Sequence, residues 1–165
     1  MARVLGIDPG TLKTGWGVIE TSGPRASLVA AGVIRARKGQ ALELRLKTIH
    51  VGLAAVIAEH DPVSVAVEDV FFAKHPNAAL KLGHARGVAL LAAASAELAV
   101  HAYPPALVKK TVAGRGAAKK DQVAHLVGAL LGIRQLPAED ACDALAIAIT
   151  HMQALRALDL QQRAR

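Results

Sequence analysis

Aromatic residues are scarce in this 165-residue chain: Trp16, Phe71, Phe72 and Tyr103 make up the whole 2%. Ala, Val, Leu and Ile must therefore fill the interior. The hydrophobic share of 53% is enough for a sizeable core, which excludes wholesale disorder. A single cysteine, Cys142, cannot form an internal disulfide, and no Cys/His cluster has the spacing of a zinc site. Long apolar runs are missing too. The longest stretches free of Asp, Glu, Lys and Arg are 12 residues, at 122–133 and 144–155, short of the roughly 18 a membrane span requires. Asp8 interrupts the opening apolar run, so that end does not read as a signal peptide. The expectation is a soluble cytoplasmic protein with one domain over residues 1–158 and a frayed polar tail over 159–165.

Negative charge is in deficit. Lys and Arg number 20 against 13 Asp and Glu, a net charge of +7, and the isoelectric point is near 10.0. Such a surface attracts polyanions, nucleic acid first and an anionic membrane second.

Alternation predicts a strand over 3–8, with Val4, Gly6 and Asp8 on one side and Leu5 and Ile7 on the other. Pro9-Gly10 forces a turn, and strands over 15–19 and 27–35 complete a meander. Leu42, Leu46, Ile49, Leu53 and Val56 or Ile57 recur at spacings of three and four, the signature of an amphipathic helix over 41–60. A β-branched run predicts a strand over 63–70, and Lys74, His75, Pro76 and Asn77 an exposed loop over 72–78. A helix over 79–98, a strand over 100–103, and helices over 104–112, 119–131 and, from Pro137 or Ala138, to about 157 follow. This order predicts an α/β fold, a mixed five-stranded sheet flanked by helices on both faces.

Against this plan, four carboxylates are misplaced for structure alone. Asp8 ends a hydrophobic strand; Glu68 lies within an apolar one. Asp140 and Asp143 are three apart on a helix made mostly of Ala, Leu and Ile, so they share a face. The opposite stripe, Ala141, Leu145, Ala148, Ile149 and Met152, has core spacing, and Cys142 should pack inward. Gathered carboxylates repel one another and lose hydration, which raises their proton affinity; a divalent cation reverses that cost. Oxygen ligands without histidine or cysteine select a hard ion, Mg²⁺ or Mn²⁺. Four carboxylates can hold two such ions about 3.5–4 Å apart, the arrangement that serves in-line phosphodiester displacement. Without the four, the rest of the molecule carries 20 positive and 9 negative charges, or +11. The separate alternatives are that Asp8 bonds the amides of its turn, Glu68 pairs with a lysine, Asp140 favours its helix N-terminus and Asp143 is solvated.

Four segments, GIDPGTLKTGWGVIE (6–20), AVEDVFFAKHPNAALKLGHARGVA (66–89), VKKTVAGRGAAKKDQVAHLV (108–127) and DACDALAIAITH (140–151), resemble the RuvC family of Holliday-junction resolvases, in the RNase H-like superfamily. The opening D-x-G-T alone is shared with sugar kinases and actin-like ATPases, but those need a duplicated half that 165 residues without a repeat cannot supply. The resemblance implies an RNase H-like fold and a homodimer that nicks two opposed strands of a four-way DNA junction symmetrically. It also implies a short T-rich cleavage preference and work beside the RuvA and RuvB branch-migration proteins. The family's metal-binding carboxylates fall on Asp8, Glu68, Asp140 and Asp143. Its active-site lysine falls on Lys120, a second lysine on Lys109, and its base-stacking aromatic on Phe71. Two departures stand out: Asp69 adds an acid beside Glu68, which leaves Mg²⁺ against Mn²⁺ open, and Leu12-Lys13 replaces the basic-first order usual there.

Lys119 and Lys120 open a helix whose amides already favour phosphate, and Arg115, between two glycines, is a further candidate for DNA contact. Gly83 and Gly87 form a small-residue stripe that either seats a dimer or lets the helix lie flat on the sheet. The seven histidines converge with no other ligand type and read as solvated or satisfied. An RNA-processing nuclease of the same fold and a non-catalytic junction-binding protein are the alternative functions.

Overall fold

A computed structural model describes residues 2–23, 25–69, 76–114, 116 and 118–163. β1 (Ala2–Asp8), β2 (Lys13–Ser22) and β3 (Arg25–Arg35) form an antiparallel meander. β4 (Ser64–Glu68) and β5 (Ala99–Tyr103) extend the sheet in parallel on the other side of β1, in the order β3-β2-β1-β4-β5. Parallel neighbours need crossovers, and α1 (Leu42–His60) and α2 (Pro76–Ser95) supply them. α3 (Pro105–Ala113), α4 (Lys120–Leu131) and α5 (Glu139–Arg163) complete the chain. The expected mixed five-stranded sheet between two helical layers is what forms.

Strand alternation divides the interior. Leu5, Ile7, Val18, Val65 and Val67 meet Ile49, Leu53 and Ala89 of α1 and α2 on one face. Val4, Ile19 and Ala66 meet α3, α4 and above all α5 on the other. The α5 stripe read from spacing is buried throughout, and Cys142 packs inward with it. Leu145 and Ile149 are 0% and 1% exposed, each worth about 1.5–3 kcal/mol of burial.

The close seat of α5 depends on glycines in the strands beneath it. A Cβ on Gly6 would overlap the Ala144 carbonyl, and one on Gly15 the Asp140 carbonyl. The first turns of α5 therefore lie directly over the ends of β1 and β2.

Element ends depart from the sequence reading for local reasons. Residues 76–78, expected in the exposed loop, belong to α2, where the missing N–H and fixed φ of Pro76 suit a first helical turn; the rest of that expected loop, 72–75, lies outside the described residues. The helix stops at Ser95 because Glu97 turns left-handed (φ 57°), and Leu98 N–H returns to the Ala93 carbonyl. β4 is confined to Ser64–Glu68; Val63 is 61% exposed, although its N–H bonds the Arg3 carbonyl. Residues 159–163, expected to fray, continue α5 to Arg163, whose guanidinium pairs with Asp159 at 3.1 Å. No glycine or proline stands there to stop the helix.

Gly83 and Gly87 resolve one open choice. A Cβ at either meets nothing within 4 Å, so neither is small in order to lie on the sheet. Ala85, Ala89, Ala92 and Ala93 are the residues of α2 that face inward.

Candidate active site

β1 and β4 are parallel neighbours with Ile7 opposite Val67, so Asp8 and Glu68 leave the sheet side by side. Val65 and Val67 belong to the α1/α2 face, which puts Ala66 and Glu68 on the α5 face with Val4 and Asp8. Asp140 and Asp143 come down on the first turns of α5. Asp8, Glu68, Asp143, Lys109 and Lys120 line one cleft of about 230 Å³. Asp140 is not on its wall, but its charge reaches Asp8.

The electrostatics show real crowding. The Asp8 carboxyl is pushed up to about 7, mainly by burial, then by Glu68, Asp143 and Asp140, with Lys120 opposing. Glu68 is also raised, by burial and then Asp143, with Lys120 and Lys109 opposing. Lys120 Nζ donates to Glu139 Oε1 at 2.9 Å and to Asp143 Oδ2 at 3.0 Å. These bonds hold its ammonium well above the usual lysine range. Asp8 does not serve its turn, since the Gly10 amide and carbonyl both engage the buried Thr14 hydroxyl.

An all-carboxylate donor set, half-buried and held against mutual repulsion, suits a hard divalent cation. The residues fit such a group. The structure nonetheless departs from the expected nest: among the described residues, no three Asp, Glu, His or Cys side chains stand close enough to enclose an ion. Asp143 is paired instead with the Lys120 ammonium.

Of the candidate DNA contacts, Lys109 and Lys120 reach the cleft. Lys119 caps α4 through its backbone N–H to Gln122 Oε1 (3.2 Å), and its side chain is exposed outside the cleft lining. Phe71 and Arg115 lie outside the described residues. Sequence reasoning overlooked Glu139, although Glu139 and Asp143 are four apart on α5 and so present one face to Lys120. It also overlooked Arg86, whose Nε donates to the Glu68 carbonyl and whose Nη2 pairs with Asp69, each at 3.3 Å. Of the histidines expected to be solvated or satisfied, His151 is the satisfied kind: Tyr103 Oη lies 2.7 Å from its Nδ1 and Ser64 Oγ 3.0 Å from its Nε2.

An RNase H-like sheet with acids at the ends of two parallel strands and on the helix above them defines the class as a nuclease fold of the resolvase type. The family model described as crossover junction endodeoxyribonuclease RuvC matches residues 4–151. The chain belongs to that family. It is 49% identical to the crossover junction endodeoxyribonuclease RuvC of Azorhizobium caulinodans over 151 residues, covering 92% of this chain and 89% of the relative. It is similar in structure to Thermus thermophilus RuvC in complex with a Holliday-junction substrate, with a TM-score of 0.89, 37% identity, and coverage of 95% and 96% of the two chains. The yeast mitochondrial Holliday-junction resolvase shares the fold at 13% identity, with a TM-score of 0.67 and coverage of 92% and 78%.

Proposed function

We propose that this chain is a structure-selective DNA endonuclease that resolves Holliday junctions in recombination and repair, nicking two opposed strands symmetrically. The observation that carries the reading is the meeting of three carboxylates and two lysines around one cleft, at the ends of β1 and β4 and beneath α5. Family membership, with divalent-metal use as a family property, supports it. Asp8, Glu68, Asp140 and Asp143 would hold two Mg²⁺ ions, with Mn²⁺ as a substitute. When bound, the ions supply Lewis-acid activation of the attacking water and charge neutralisation at the leaving oxygen. Lys120 is the group that orients the scissile phosphate, and Lys109 contributes a second positive charge on the same wall. Glu139 and Asp143 together hold the Lys120 ammonium at the cleft. Phe71, Arg115 and Lys119 complete the DNA contacts by stacking and phosphate pairing.

Paired incisions call for two identical sites related by a two-fold axis. The outer side of α2 offers the seat for a homodimer. It carries an apolar groove of about 700 Å³ lined by Leu80, Gly83, His84, Gly87, Val88 and Leu91, with Leu80 62% and Leu91 56% exposed. No described helix is long and apolar enough to cross a membrane. A cytoplasmic setting beside RuvA and RuvB completes the proposal.

The test is a nicking assay on a synthetic mobile junction, mapped on all four strands, with Mg²⁺, Mn²⁺ or chelator and with structured RNA as a competitor substrate. The expected result is paired nicks in opposed DNA strands with either ion and none with chelator. Asp8→Asn should abolish cutting while keeping or tightening junction binding, because phosphate contacts survive and a negative charge is lost. Cutting by Asp8→Asn at the parental rate refutes the assignment; cutting confined to RNA refutes the substrate.

A further inference from the structure

Strand alternation that aims Glu68 at α5 sends the next residue, Asp69, to the opposite side of the sheet. α2 packs there, and its Arg86 reaches back to the end of β4. Arg86 Nε donates to the Glu68 main-chain carbonyl and Nη2 pairs with Asp69 Oδ1, both at 3.3 Å. From the adjoining strand, the Tyr103 carbonyl accepts the Asp69 N–H at 2.9 Å. The peptide that joins Glu68 to Asp69 is thus gripped at its carbonyl oxygen and its N–H, and the carboxylate beyond it is tied to a cation. The Arg86 and Asp69 side chains are 25% and 32% exposed, so solvent does not fully screen the pair.

We propose that Arg86 is a positioning residue for the cation site: it fixes the backbone that aims Glu68 into the cleft and holds Asp69, the extra acid, out of the ligand set. The inference rests on the reading of Glu68 as a cation ligand. The two acceptors, a carbonyl and a carboxylate, need a forked donor. A guanidinium spans both, whereas a lysine ammonium is a point donor on a shorter reach. A released Asp69 would be a fifth carboxylate beside four that already repel one another.

The experiment titrates full-length protein with Mn²⁺ alone, reading free Mn²⁺ by electron paramagnetic resonance, beside metal-free thermal midpoints and single-turnover nicking. The variants are Arg86→Gln, Arg86→Lys, Asp69→Asn and the double Arg86→Gln/Asp69→Asn, with Asp8→Asn as reference. Loss of an outer partner of a metal ligand weakens metal binding by about 10–100-fold. Arg86→Gln should fall in that range and cut more slowly, with half-saturating junction concentration unchanged. Arg86→Lys should not restore Mn²⁺ affinity. Asp69→Asn alone should bind Mn²⁺ within about twofold of the parent, yet recover part of the loss in the Arg86→Gln background. Parental Mn²⁺ affinity in Arg86→Gln, whatever its thermal midpoint, overturns the proposal. If Arg86→Gln does not fold, parental affinity in Arg86→Lys overturns it equally. If Asp8→Asn loses Mn²⁺ binding and the Arg86 variants do not, this inference alone fails; if Asp8→Asn keeps Mn²⁺ binding and cutting, the reading beneath it fails.

Discussion

Gly15→Ala isolates how the sheet places the two acids on α5. Gly15 pairs with Asp8 across β1 and β2, and a Cβ on it would overlap the Asp140 carbonyl. The obstructing group is backbone, so no side chain can swing aside. Restoring ordinary contact distance requires the start of α5 to lift by on the order of 1 Å in a packed interior. Over-packing of this kind costs about 1–3 kcal/mol. At roughly 2–4 °C per kcal/mol for a chain of this size, the thermal midpoint should fall by about 2–12 °C. A catalytic group displaced by 1 Å costs about 10²-fold in rate, so nicking should drop by that order. Single-turnover nicking well below the lower midpoint separates misplacement from unfolding, and junction binding in chelator should stay near parental. Parental nicking by Gly15→Ala would refute the claim that this close approach sets the position of Asp140 and Asp143.

Lys120→Met should lower nicking by about 10²–10³-fold, as for removal of one donor to a charged reacting group, with junction binding little changed; parental nicking removes Lys120 from the site. Gly83→Arg puts a charge into the apolar groove on α2, and light scattering should show half the parental mass; an undiminished mass moves the dimer seat elsewhere. Metal-free thermal midpoints of parent and Asp8→Asn should diverge between about pH 4 and 7. Folded Asp8 keeps its proton to about 7 while the unfolded chain releases it near 3.8, so the folded state binds more protons in that window and loses stability as pH rises through it. His151, buried neutral with its value pushed down to about 4, contributes the opposite slope below its unfolded 6.5, in both proteins alike. The advantage of Asp8→Asn should therefore grow up to about pH 7 and then level; a pH-independent difference refutes a crowded, buried Asp8.

Much of the site was legible because its residues broke local rules. An acid at the end of a hydrophobic strand, another inside a β-branched run and two on an Ala/Leu/Ile helix are each costly without a counter-charge. The strand parity of Asp8 and Glu68 followed from counting by twos. Arg86 and Glu139 were not legible. An arginine on a helix and a glutamate at a helix start are ordinary in sequence, and nothing local says that one meets the end of β4 and the other meets Lys120.

The amino-acid pattern by itself determined the elements, the division of each strand between two faces, and the four carboxylates as candidates, because burial periodicity and the cost of lone charges are local properties. Tertiary structure alone decided that Asp143 bonds Lys120, that Asp69 pairs with Arg86, and that Gly6 and Gly15 are small for the sake of α5. Those outcomes depend on which backbones approach within contact distance across tens of residues of chain, and a linear pattern does not carry that distance.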